Sequence, residues 1–184
     1  MKREYWLLFS VLLAVSFFLD KYIFSLLESF LSPFLFLPMY YMSHVVFFII
    51  IAVGCSYLIG NKKKIFYFYM GIALSYVISI ILKLLVRRIR PFGAELILND
   101  FSLYSFPSSH ATVYFFIFAF MAAHFDKNKN KRNKDYKWYL LIIVVLVSFS
   151  RIYLGAHYLS DVIGGGLLGV GTYMLFRKWI KEWN

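Results

Sequence analysis

The chain has 184 residues and a mass of 21.7 kDa, is 61% hydrophobic, 22% aromatic and 16% charged, and carries a formal net charge of +11. An ordinary soluble domain is roughly 45–50% apolar, so this composition excludes a disordered chain and argues against a soluble globular one. A single cysteine, Cys55, excludes an intrachain disulfide and a cysteine-based metal cluster.

Long stretches free of Asp, Glu, Lys and Arg predict six membrane-spanning helices, at about 4–22, 40–60, 65–86, 107–125, 138–155 and 158–178. Each is close to the roughly 20 apolar residues that a bilayer crossing requires. The expected fold is all-α, a six-helix transmembrane bundle forming a single domain over residues 1–184. Lys2 and Arg3 precede the first apolar run in the manner of a signal peptide. No small-x-small cleavage site lies near Phe17–Asp20, so an uncleaved first span is expected. Pro33 and Pro38 interrupt the uncharged stretch Ser29–Asn61, and residues 23–38 are expected to lie at the interface or to re-enter it. His44, opening the second span, either lines a path for lipid or is simply interfacial. In the sixth span, Gly165 and Gly169 form a small-xxx-small pair suited to close helix packing.

Six crossings with the N-terminus inside leave 14 of the 20 basic residues on the inner side and six on the outer. The positive-inside rule then places both termini in the cytoplasm. The run Asp126–Lys137 becomes a solvated cytoplasmic loop and Phe92–Tyr104 an outer connection. Most of the positive charge is explained in this way without nucleic acid. Five of the six outer cations fall in or beside predicted helices, where charge is costly and usually functional.

Three groups of residues carry chemistry at that outer side. Lys83, Arg87 and Arg90 are spaced four and three apart, so a helix running to Pro91 would present them on one face. Cations so gathered suit a phosphate, though they also suit snorkelling to headgroups. Next, Pro107-Ser108-Ser109-His110 opens the fourth span with helix-start residues. Its N–H groups can bind phosphate or merely be capped. Third, Arg151 closes the fifth span, and His157 and Asp161 stand at i and i+4. A carboxylate beside an imidazole can make it a nucleophile or base, or can tie two helices together. Topology puts all three groups at one membrane face. Two histidines, at least four cations and one carboxylate there argue for metal-free attack on phosphorus through a phosphohistidine.

The series Lys83-x6-Arg90-Pro91, Pro107-Ser108-Ser109-His110 and Ser150-Arg151-x5-His157-x3-Asp161 resembles the three-part signature of the type 2 phosphatidic acid phosphatase superfamily. That superfamily includes membrane lipid phosphatases such as undecaprenyl-diphosphate phosphatases, the glucose-6-phosphatases and the soluble vanadium haloperoxidases. The resemblance implies that His157 is the nucleophile, that Asp161 orients and polarises it, and that His110 is the general acid. It implies that Lys83, Arg90, Arg151, Ser108 and the backbone at Ser109 hold the phosphate oxygens. It also implies that no metal or other cofactor is needed. Arg87 is added to the phosphate site on helical spacing alone, and Arg88 is left out of it. The family usually has glycine where Ser109 stands, which bears on the loop geometry.

The expected function is phosphate hydrolysis from a polyprenyl diphosphate or related lipid phosphate at the outer face of the cell membrane. The expected partners are that substrate and membrane lipids. Phosphatidylglycerol phosphate and phosphatidic acid are the alternative substrates. A vanadate-loaded haloperoxidase is disfavoured by the six predicted spans. A non-enzymatic lipid-phosphate binding or transport protein would need no His157–Asp161 pair.

Overall fold

The structure is a computed structural model and describes residues 3–29, 32–91, 104–127 and 131–180. Most of the expected outer connection Phe92–Tyr104 lies outside the described residues. The described part is all-helical, with seven helices: α1 (Arg3–Ser29), α2 (Pro33–Ser43), α3 (Val45–Ile59), α4 (Lys62–Val86), α5 (Ser109–Lys127), α6 (Lys131–Tyr153) and α7 (Leu159–Trp179). By length and composition, α4, α6 from Asp135 onward and α7 can each cross a membrane, and α2 with α3 can do so as one span bent by 53°. The expected six spans therefore stand at four by this measure among the described residues. Helices α1 and α5 occupy the two other expected positions.

Helix ends depart from the sequence reading where charge was taken to mark them. α1 continues past Asp20 and Lys21 to Ser29, beyond the expected end of the first span at about residue 22. α6 begins at Lys131, so much of the expected loop Asp126–Lys137 is helical. Lys137 Nζ also pairs with Asp126 Oδ1 at 3.0 Å across the α5–α6 connection. The reason is common to both places. Charged residues end an apolar span, but Lys, Arg and Glu are good helix formers and do not end a helix. Pro33 sits in the first turn of α2, where its missing N–H costs nothing. The bend between α2 and α3 falls at His44, whose extended backbone serves both helices and whose Nδ1 accepts from Val46 N at 3.3 Å.

A third departure concerns α4. It stops at Val86, because Arg87 adopts a left-handed conformation (φ 51°) and its N–H returns to the Lys83 carbonyl at 2.9 Å. Arg90 and Pro91 thus lie beyond the helix, and the single face proposed for Lys83, Arg87 and Arg90 does not form. The chain after α4 instead makes a bridge between Ile89 and Tyr104, with Ser105 N donating to the Arg88 carbonyl at 2.7 Å.

Packing centres on α5 against α7. A side chain at Gly169 would strike the Thr112 carbonyl, and one at Gly165 the Ser108 carbonyl, so these glycines let the two backbones touch. α4 joins the pair through Gly71, which receives the Phe116 ring. α1 packs along α7 on the other side.

Candidate active site

Local turns and helix starts place several of the polar side chains at one end of the bundle, and contacts between helices place the others. The turn between α6 and α7 is closed by the Arg151 carbonyl, which accepts from Ala156 N and His157 N, each at 3.1 Å. Gly155 permits this turn with φ +66°. It holds His157 at 1% exposure, directly before α7. In the first turn of α7, Asp161 accepts from Tyr158 N at 2.9 Å through Oδ2. The same oxygen lies 3.5 Å from His157 Nδ1. That separation exceeds a formed hydrogen bond, and Nδ1 has no other hydrogen-bond partner among the described residues. Catalytic hydrogen bonds commonly tighten only in the substrate complex.

The start of α5 is docked on the start of α7 by Ser108 N, which donates to the Asp161 carbonyl at 3.0 Å. The Ser108 side chain accepts from Ala111 N at 3.4 Å and so caps α5. Ser109 is not among the described residues with positive φ, so glycine's freedom is not used there. Its hydroxyl lies 2.9 Å from that of Ser79 on α4. The His110 ring is oriented by Nε2, 3.0 Å from the Ser43 carbonyl of α2. Ser43 Oγ in turn meets Ser150 Oγ of α6 at 2.9 Å.

The cations divide. Lys83 is buried and donates to the Tyr104 carbonyl at 2.9 Å. Arg90 Nη1 donates to the Ala156 carbonyl at 3.1 Å, and Arg151 is 2% exposed. Lys83, Arg151, Ser109, His110 and His157 line one cavity of about 1270 Å³. Arg87 differs: it is exposed, and its Nε donates to the Leu84 carbonyl at 3.0 Å. The helical-spacing argument for placing it with the others therefore fails at the left-handed turn.

Burial is the largest cause that pushes His157 well below the ordinary histidine value, followed by Lys83, Arg151, Arg90 and His110. The imidazole is accordingly neutral at neutral pH, with its lone pair available. The rest of the cavity wall is apolar and aromatic, including Phe48, Ile72, Tyr76, Ile80 and Val113, and His44 stands on the same wall.

Two charged residues belong to this end that sequence reasoning did not assign to the site. Arg88 Nη1 donates to Asp161 Oδ1 at 2.7 Å, and Nη2 pairs with Asp20 Oδ2 of α1 at 2.7 Å. The available signal was a lone carboxylate closing the uncharged run of the first span, since such residues are rare and commonly paired.

The sequence model of the PAP2 superfamily matches residues 64–184. The chain belongs to the PAP2 superfamily. It is 38% identical over 104 residues to phosphatidylglycerophosphatase B of Bacillus subtilis (strain 168), covering 53% of this chain and 48% of that one. It is 31% identical over 135 residues to dolichyldiphosphatase 1 of Homo sapiens, covering 66% of this chain and 56% of that one. The chain thus spans about half the length of the curated relatives it matches. Among solved structures it is similar to a transmembrane PAP2-type phosphatidylglycerolphosphate phosphatase from Bacillus subtilis. The TM-score is 0.73 at 26% identity, over 96% of this chain and 94% of that one.

Proposed function

We propose that this PAP2 chain is a single-domain membrane lipid phosphatase working through a phosphohistidine. One observation carries the reading: a buried His157 with Asp161 at its back shares one cavity with His110, Lys83 and Arg151. In this mechanism His157 attacks phosphorus through Nε2, while Nδ1–H faces Asp161. Lys83, Arg90 and Arg151 neutralise the phosphoryl oxygens, assisted by Ser108, Ser109 and the first N–H groups of α5. His110 gives a proton to the leaving oxygen and then takes one from the water that hydrolyses the phosphohistidine. A binding or transport protein would gain nothing from an oriented, desolvated imidazole.

The apolar remainder of the cavity suits a lipid leaving group. A polyprenyl diphosphate is the first proposed substrate, supported by the likeness to dolichyldiphosphatase 1. Phosphatidylglycerol phosphate is the second, supported by the relative and the solved structure from Bacillus subtilis. With Arg87 exposed and Arg88 committed to two carboxylates, neither arginine adds the positive charge to the cavity that would favour a diphosphate over a monophosphate. The split of basic residues supports a site on the extracytoplasmic face with both termini in the cytoplasm.

Phosphate release by the purified chain in detergent, from a polyprenyl diphosphate, phosphatidylglycerol phosphate and phosphatidic acid, tests the activity and ranks the substrates. Release that disappears in His157→Ala is expected. Release from none of the three lipids would overturn the reading. For orientation, an impermeant thiol reagent on intact cells should label Leu98→Cys and spare Asn130→Cys; the reverse pattern would place the site inside.

A further inference from the structure

α1 lies outside the residues that the family match covers, yet it brings a carboxylate to the site. Asp20 is 3% exposed. Its Oδ1 accepts from Ser160 N at 2.9 Å, and its Oδ2 lies 2.5 Å from Ser160 Oγ and 2.7 Å from Arg88 Nη2. The other terminal nitrogen of Arg88 reaches Asp161 Oδ1 at 2.7 Å and Ser160 Oγ at 2.5 Å. The guanidinium carbon lies 4.2 Å from the Tyr158 ring centroid and 4.9 Å from that of Phe17. One planar fork therefore bridges two carboxylates and is braced by two rings, a geometry that lysine cannot reproduce.

The charge arithmetic gives this bridge a purpose. The charged groups that act on His157 most strongly are basic: Lys83, Arg151, Arg90 and His110. Asp161 is the carboxylate set against that field. An arginine paired with Asp161 alone would cancel most of its negative charge. A second carboxylate on the same arginine offsets that cancellation. The bridge also fixes Asp161 Oδ1, which turns Oδ2 toward His157 Nδ1.

We infer that Asp20 and Arg88 are positioning residues for phosphoryl transfer, holding Asp161 in the orientation and charge state that His157 requires. The inference rests on the phosphatase reading. A bridge that only tied α1 to α7 would affect stability and leave the turnover of folded protein alone.

The experiment uses the purified full chain in detergent, as parent, Asp20→Asn, Asp20→Glu and Arg88→Lys. Phosphate release is measured from farnesyl diphosphate and dioctanoyl phosphatidic acid, together with the vanadate inhibition constant and Tm. Asp20→Asn should lower kcat by about 10–100-fold, the scale seen for outer partners of metal-bound histidines. KM should stay within about 3-fold, because the loss is made in the transition state. The vanadate constant should rise in parallel, and Asp20→Glu, which keeps the charge, should recover part of kcat. A kcat within about 2-fold of the parent in Asp20→Asn, whatever its Tm, would overturn the inference. Should Asp20→Asn fail to fold, Arg88→Lys decides by the same split between kcat and KM. A parent inactive on both lipids and on phosphatidylglycerol phosphate would fail the phosphatase reading, and the inference with it. An active parent with indifferent variants would fail the inference alone.

Discussion

The two ends of the bundle are built from the same helices on opposite principles. Away from the site, Phe68 of α4, Phe116 and Phe120 of α5 and Tyr173 and Phe176 of α7 form an apolar cluster with Ile117 and Met121. Ring centroids there lie 5.2–6.2 Å apart, tilted or edge-on in all five pairs. At the site end, α4, α5, α6 and α7 bury Lys83, Ser108, Arg151, His157 and Asp161 instead. The apolar end needs only shape, and its close approach is set by Gly71 and Gly169. The polar end needs partners for each charge, and it recruits α1 and α2 to supply them. The comparison predicts that changes at the apolar end cost stability, and changes at the polar end cost turnover.

The sharpest break of that contrast is His157→Ala. It should abolish turnover and any acid-labile phosphoenzyme while leaving Tm within a few degrees. Near-normal phosphate release from this variant would mean that another residue receives the phosphoryl group. Asp161→Asn should follow, with a loss of up to about 10⁴ in kcat, the scale of the equivalent change in a serine-protease triad. His110→Ala should cost about 10²–10⁴, as expected for a lost general acid. Single-turnover kinetics should place its defect in departure of the lipid and not in binding.

At the other end, Phe120→Ala should destabilise by about 3–5 kcal/mol, the usual cost of emptying an aromatic core position. The kcat/KM of the protein that remains folded should be unchanged. A selective loss of kcat with Tm preserved would show that the two ends are not separable.

A smaller effect concerns pH. His157 is held below the ordinary histidine value of about 6.5, chiefly by burial. Its acid limb in kcat/KM, corrected for the ionisation of the substrate, should therefore lie below pH 6.5. A midpoint at or above that value would contradict the burial. The same depression bears on stability. As pH falls through about 6.5 the unfolded chain binds a proton that the folded chain refuses, so this histidine's contribution declines until its folded-state value is passed. The smallest effect is expected for Arg87→Ala, which should change kcat/KM by less than about 3-fold on mono- and diphosphate lipids alike. A larger loss on the diphosphate would restore Arg87 to the phosphate site.

Much of the site could be read from residue order because its spacing is local. His157 and Asp161 share a turn, and Ser108 to His110 share a helix start, so a periodicity of 3.6 brings each group together with no knowledge of the fold. Arg87 and Arg88 reverse that advantage. They are adjacent in sequence and identical in chemistry, and the helical rule favours Arg87. A single left-handed residue, with no glycine to announce it, turns Arg87 to solvent and Arg88 inward. Asp20 was hidden for a different reason, since its partners Arg88 and Ser160 are 68 and 140 residues away.

Composition and order alone determined that the chain is helical, that it is apolar enough for a membrane, and which local groups of residues suit phosphate chemistry. These are properties of side-chain transfer energies and short-range periodicity, which do not depend on how helices meet. Where α1, α4 and α6 end, which arginine enters the site, and that α1 contributes a carboxylate were decided only by tertiary structure. Those outcomes depend on a buried charge finding its counter-charge, and in a low-dielectric interior that requirement is met by whichever helix the fold brings within reach.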